Sequence, residues 1–291
     1  MLKKNHEGTW AAREANAEVF SDGATMSWLK IRSPFIIASS LLGLGIMLFL
    51  VLPIATTVIG ASASIYDAIT DPRTTSAIWM SFYGAFLSTL AVAATGIPLA
   101  YILCHYQFYG KSFVDALIDL PILIPHNAAG IAILTVLGPN SLFGGFLQNF
   151  GIVFVDTIYG IVAAMAFVSA PFLIRSAQEA FAAVPIAVEH AAKSLGADDL
   201  KTFMHITLPL ASKGIFTGGL LSWARAISEF GAVAILAYYP KTAAVFLNDV
   251  FVSEGLGAAL PINALLICIS VVIILVFKRI TMGGTRLNRE R

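Results

Sequence analysis

Residues 184–209 read Val184-Pro-Ile-Ala-Val-Glu-His-Ala-Ala-Lys-Ser-Leu-Gly-Ala-Asp-Asp-Leu-Lys-Thr-Phe-Met-His-Ile-Thr-Leu-Pro209, and the organisation of the chain turns on this stretch. Pro185 suits the first turn of a helix, where its missing N–H costs nothing. Residues 186–195 are good helix formers, with Val188, Ala191, Ala192 and Leu195 at helical spacing on one face. Gly196 ends the helix, because only glycine enters the left-handed conformation cheaply. Asp198 or Asp199 then caps a second helix that contains Phe203 and Ile206, and Pro209 lies near its entry into the next apolar segment. A helix this short is marginal alone and needs a surface to pack on. The pattern fits both a helix lying on lipid and one that docks on a partner.

Outward from this loop the chain is apolar. Of 291 residues, 58% are AVILMFWYC and 12% are DEKR, against about 25% charged in soluble domains. Six segments approach or exceed the roughly 20 residues a bilayer-spanning helix needs: Ser33 to Gly60, Ala77 to Cys104, Phe113 to Gly138, Thr157 to Ile174, Gly214 to Tyr239 and Ala259 to Phe277. This composition excludes soluble, disordered, collagenous and disulfide-scaffold classes. Cys104 and Cys268 fall inside apolar segments and read as small core residues. The expected organisation is a polar tail over 1–32, a six-span domain over 33–280 with its longest polar connection at about 175–213, and a second tail over 281–291. The first apolar run begins after Arg32 and is long enough to span, so it reads as a retained anchor rather than a cleaved signal.

Basic residues orient the chain. With six spans both termini share a side, and fifteen of the 18 Lys and Arg lie on it. They are Lys3, Lys4, Arg13, Lys30 and Arg32 before the first span, Lys111 after the second, Arg175, Lys193, Lys201 and Lys213 after the fourth, and Lys278, Arg279, Arg286, Arg289 and Arg291 at the end. Arg73 and Lys241 lie opposite and Arg225 within a span. Both termini and the 175–213 connection are therefore expected to be cytoplasmic, in a plasma or inner membrane.

With the loop on the cytoplasmic face, its residues resemble the signature of the membrane-spanning permease subunits of binding-protein-dependent ABC importers. That signature is Glu-Ala-Ala, three residues, Gly, nine residues, then Ile-x-Leu-Pro. Here Ala191, Ala192, Gly196, Ile206, Leu208 and Pro209 are in register, Leu195-Gly196-Ala197 is a frequent local variant, and His190 stands at the glutamate position with Glu189 before it. Two further elements resemble molybdate, tungstate and sulfate permeases: Asp119-Leu-Pro-Ile-Leu-Ile-Pro-His-Asn-Ala-Ala-Gly130 and Ala224-Arg-Ala-Ile-Ser-Glu-Phe-Gly-Ala232. The Pro-His-Asn form is closer to archaeal-type tungstate/molybdate permeases.

The resemblance implies a type I-like importer permease, all-α, carrying an oxyanion delivered by an external binding protein. It implies a homodimer in the lipid bilayer with two cytoplasmic ABC ATPases, coupled through Pro185, Glu189, His190, Ala191, Ala192, Leu195, Gly196, Ala197, Ile206, Leu208 and Pro209. ATP and Mg would sit on the ATPases, with no cofactor or metal on this chain and no nucleic-acid partner.

Arg225 and Glu229 are the charges well inside a span. Each costs about 2.5–3.5 kcal/mol on insertion scales, which makes an intramembrane ion a functional candidate. Four residues apart, they can pair, either to lock the helix against its neighbours or to face the pathway. Pro121 and Pro125 should kink the third span, and His126 and Asn127 can satisfy the freed carbonyls or meet substrate. With Phe230 and Gly231 from the second element, these are the candidate pathway residues. Gly214, Gly218 and Gly219 give small-residue spacing for close helix approach.

The sequence contains no GxxxxGK[ST], HExxH, CxxC or GxSxG pattern, so no catalytic activity is expected. The alternatives are a sulfate or thiosulfate permease of the same type, and a secondary transporter driven by protons or sodium through Arg225, Glu229 and His126. An intramembrane enzyme would need clustered carboxylates, histidines or a nucleophile at one depth, which the spans lack.

Overall fold

A computed structural model describes residues 34–286, with side chains through residue 279. It divides into two units, residues up to 56 and residues from 57 onward. The expected tail over 1–32 lies outside the described residues, as do the last five residues of the expected C-terminal tail. The described chain is all-helical, and its last helix runs through residues 281–286.

The first unit holds most of α1 (Pro34–Gly60), an apolar helix with no buried residue. The second unit contains α2 (Ile65–Thr70), α3 (Pro72–His105), α4 (Lys111–Leu123), α5 (His126–Leu137), α6 (Leu142–Gln148) and α7 (Ile158–Ala182). It continues with α8 (Ile186–Ser194), α9 (Asp199–Thr202), a π turn (Phe203–Thr207), α10 (Leu208–Ile227), α11 (Gly231–Leu236), α12 (Ala243–Glu254) and α13 (Leu256–Arg286). Helices α1, α3, α7 and α13 are each long and apolar enough to cross a membrane. The segments between the expected spans at 61–76, 139–156 and 240–258 carry α2, α6 and α12.

At the centre, α7 packs against both α3 and α10, which also touch each other. The buried face of α3 is a run of small residues at helical spacing, including Ala77, Ser81, Gly84, Ala85, Ser88, Gly96 and Ala100, while Trp79, Tyr83, Phe86 and Leu90 point outward. This is the membrane pattern. Lipid solvates large apolar side chains as well as a core would, so helix contact selects small residues that let backbones close in. Gly214 and Gly218 of α10 behave likewise: a Cβ on either would lie 2.5 Å from the Cβ of Ala180 or Ser176 on α7. Gly219, expected to share this role, faces open space. A buried bond from Ser222 Oγ to the Ser169 carbonyl, 3.1 Å, ties α10 to α7.

Two of the expected spans are broken. The third becomes α4 and α5, bent by 120°. Pro121 is accommodated inside α4, and the break comes at Ile124, held extended (φ −71°, ψ 132°) because the following Pro125 excludes helical conformation there. The fifth is broken after Ile227. Ser228 Oγ donates to the Arg225 carbonyl at 2.9 Å, offering the backbone an alternative to the helical bond, and Glu229 N–H falls back to Ala226. The helix restarts at Gly231 as α11.

Candidate functional site

The two breaks face each other. Helices α5 and α11 pack together so closely that a Cβ on Gly231 would collide with Asn127 Oδ1 and stand 2.7 Å from His126 Cβ. Residues 125–127 and 228–231, with Arg225, wall a cavity of about 710 Å³. All the candidate pathway residues line it except Pro121, which is buried in α4. Ser228 joins them, unrecognised in the sequence because a lone serine in an apolar run carries no signal.

Inside this cavity Glu229 is almost fully buried, its side chain 1% exposed. Oε2 takes Arg225 Nη2 at 2.9 Å and His126 Nδ1 at 3.0 Å, while Oε1 accepts the Ala232 N–H of α11 at 2.9 Å. Arg225 also donates to Ser228 Oγ at 3.2 Å. The carboxylate thus offsets the guanidinium and caps a broken helix at once. The first-turn N–H groups of α5, which a helix cannot satisfy internally, lie at the same opening. A site of this kind is suited to a small anion that must pass rather than stay, since conduction requires binding weak enough to release.

Below α10, the 184–209 segment forms a helix–turn–helix. Pro185 sits at the N-cap of α8, one position before the first helical residue. At its other end, Ala197 N–H bonds the Ala192 carbonyl and Gly196 N–H the Lys193 carbonyl, both near 3 Å, with Gly196 at φ +90°. This is the paired 6→1 and 5→2 closure that a glycine at C′ permits. Across the turn Lys193 Nζ meets Asp199 Oδ1 at 2.7 Å, and Asp198 caps α9 by accepting the Lys201 N–H at 2.7 Å. That bond holds the Asp198 carboxyl below its ordinary value, and the bond to Asp199 raises Lys193.

The apolar residues of α8 are turned outward. Leu195 is 90% exposed and Val188 41%. Ala191 is exposed, Ala192 half-buried, and the buried residue is Glu189, at 4%. Its surroundings explain its burial: Glu189 Oε1 accepts from Thr207 Oγ1 at 2.6 Å and meets His105 Nε2 at 3.1 Å, so polar partners inside draw this side chain in. His190 is exposed, Ala197 and Ile206 half-buried and Pro209 exposed. Leu208 packs with Phe203 against the core formed by Ala100, Ala177, Phe181 and Ala211.

A second ionic cluster went unrecognised in the sequence. Arg175 of α7 uses all five of its N–H bonds: Nε and Nη2 on the two Asp119 carboxylate oxygens, Nη1 on Asp115 Oδ1 and Gln178 Oε1, and Nη2 on the Asp115 carbonyl, at 2.7–2.8 Å. The i,i+4 spacing of Asp115 and Asp119 places both on one face of α4 and was the available signal.

Residues 96–282 match the family model described as the binding-protein-dependent transport system inner membrane component. The chain is 42% identical over 218 residues to the molybdate/tungstate transport system permease protein WtpB of Pyrococcus furiosus, covering 75% of this chain and 82% of the relative. It is 35% identical over 196 residues to the sulfate transport system permease protein CysT of Salmonella typhimurium, covering 66% and 71%. It shares its fold with a chain of the bacterial alginate ABC transporter in complex with an alginate pentasaccharide-bound periplasmic protein. That likeness has a TM-score of 0.68 at 18% identity, over 88% of this chain and 98% of the other.

Proposed function

This chain belongs to the inner membrane components of binding-protein-dependent transport systems, and from that premise we propose that it forms the pathway by which an ATP-driven importer admits molybdate or tungstate. The observation that carries the proposal is the cavity where two helix breaks meet, with Arg225 and His126 both held by Glu229. A tetrahedral oxyanion entering it meets a guanidinium, an imidazole, the Ser228 hydroxyl and the N–H groups opening α5. The carboxylate already engaging Arg225 keeps the anion from being held. The names of relatives such as the Pyrococcus protein support molybdate and tungstate. Sulfate is the second reading, supported by the Salmonella relative.

Six crossings per chain are assigned to α1, α3, the bent pair α4–α5, α7, α10 with α11, and α13. Helix α10 has 20 residues, about 30 Å at 1.5 Å per residue. The distribution of Lys and Arg supports cytoplasmic termini and a cytoplasmic 184–209 segment. There the exposed Ile186, Val188, Leu195 and Leu200, with His190, would dock on an ATPase subunit, which binds and hydrolyses ATP with Mg. Two copies of the permease and two ATPases make the working unit, and an external binding protein delivers the anion. The ATPase pair biases the permease between two states by its differential hold on this helix, since a partner shifts an equilibrium only through differential affinity.

The test is uptake into proteoliposomes containing permease, cognate ATPase and binding protein. ATP-dependent uptake of tungstate or molybdate, resisting a hundredfold excess of sulfate, is expected. Uptake competed by equimolar sulfate selects the second reading, and concentrative uptake by the permease without the ATPase refutes the ATP-driven one.

A further inference from the structure

Glu189 is the acidic residue of the helix read above as the ATPase contact, yet it faces away from any partner. The residue is 4% exposed and one carboxylate oxygen, Oε1, holds two separate elements: Thr207 Oγ1 in the π turn at 2.6 Å and His105 Nε2 at the end of α3 at 3.1 Å. His105 is fixed in turn. Its Nδ1 lies 3.1 Å from the Tyr101 carbonyl, and its ring stacks at 4.2 Å on Tyr101, which packs edge-on against Phe181 of α7 and Phe203 of the π turn. Both nitrogens of His105 are thus engaged, Nδ1 with the Tyr101 carbonyl and Nε2 with the Glu189 carboxylate.

We propose that Glu189 is a positioning residue, an internal clasp that makes α8, the end of α3 and the root of α10 move as one piece. The inference rests on the reading of α8 as the ATPase contact and adds how its displacement reaches the pathway. The apolar side chains α8 turns outward give a partner its grip, while the inner face carries a polar bond to each of two long helices. Through Thr207 the clasp acts on the turn that leads directly into α10, the helix that ends beside Arg225 and Ser228 at the cavity. Through His105 it acts on α3, which packs along α7 and α10. With the clasp open, α8 would rock on its flanking turns and hydrolysis would run without moving the breaks.

Thr207→Val removes the hydroxyl donor at nearly constant shape and Thr207→Ser restores it, so the pair separates the bond from packing. Two readouts are taken. In proteoliposomes of the full transporter, Thr207→Val should lower anion taken up per ATP hydrolysed by about tenfold, the scale of one hydrogen bond to a charged group, with the ATPase still co-purifying and Thr207→Ser near wild type. In nanodiscs holding the full-length permease, amide exchange of residues 186–194 should rise by a similar factor in Thr207→Val and not in Thr207→Ser. Unchanged uptake per ATP, or loss of ATPase co-purification with an unchanged ratio in what remains, overturns the clasp as a transmission element. Unchanged exchange overturns the clasp itself. A wild type that shows no ATP-coupled uptake sinks the importer reading instead, and the exchange result then decides the clasp alone.

Discussion

Exchanging the two charges at the cavity, Arg225→Glu with Glu229→Arg, keeps the ion pair and its four-residue spacing but should not keep the site. In the native arrangement Glu229 accepts from Arg225 with one oxygen and from the Ala232 N–H, at 2.9 Å, with the other. A guanidinium at 229 has no acceptor to offer. The Ala232 N–H then faces a donor, and a buried group left unsatisfied costs about 1–3 kcal/mol. A cation at the first turn of α11 opposes the helix dipole for about 0.3–1 kcal/mol more. The sum, roughly 1.3–4 kcal/mol, corresponds to about an 8- to 700-fold loss of the correctly closed break. Glu229→Gln is the complement: its amide oxygen still serves Ala232, but its NH2 group is a donor and cannot accept from Arg225 and His126, so it keeps the cap and breaks the ion pair. The assay is initial uptake in proteoliposomes, normalised to assembled complex. Both variants should fall below wild type, the exchange through the lost cap and Glu229→Gln through the lost pair. An exchanged protein that transports as well as wild type would refute the claim that the carboxylate acts as a cap as well as a counter-charge.

Other expectations follow from single contacts. Gly196→Ala should weaken the turn by about 1–2 kcal/mol, the cost of a side chain in left-handed backbone. Gly196→Pro, whose ring fixes φ near −65° and which lacks the N–H bonded to Lys193, should abolish ATPase co-purification while leaving membrane insertion intact. Gly218→Val places a side chain 2.5 Å from Ser176 Cβ and should prop α10 off α7, lowering the thermal midpoint of the purified permease. Arg175→Lys cannot reproduce a bidentate hold on Asp119 together with two bonds to Asp115, and cross-linking yield between cysteines on α4 and α7 should fall several-fold; an unchanged yield would show that packing alone fixes α4. The Asp198 cap has a depressed carboxyl, so its stabilisation is full above the ordinary value of 3.8 and is lost as pH falls through the lower folded value. A carbon-13 signal from labelled Asp198 that titrates at or above 3.8 would contradict this.

The outline of the fold was legible because bilayer solvent imposes length and composition directly, so the segments near α1, α3, α7 and α13 could be found to within several residues at most ends. The turn at Gly196 was legible for a local reason: a positive φ and a Schellman closure need that residue there. The breaks were half legible. Pro125 announced a distortion, but its size of 120° depends on α11 lying close enough to receive α5 at Gly231. The break after Ile227 rests on a Ser228 hydroxyl bond that hydropathy does not register. The inward turn of Glu189 could not be read at all, because periodicity assigns a carboxylate to the outside. Its partners, His105 and Thr207, stand 84 and 18 residues away along the chain.

The π turn over Phe203–Thr207 has a consequence for the phase of everything beyond it. Leu208 N–H reaches back five residues, to Phe203, so the turn holds one residue more than an α-helix would. Reverting to α geometry would rewind α10 by about 100°, the angle of one helical residue, and carry Arg225 off the bearing on which it finds His126. Pro209 opposes that slip, because it has no N–H to give the His205 carbonyl and its ring would strike it. A proline near the foot of the helix therefore sets the compass direction of a guanidinium some four turns above it.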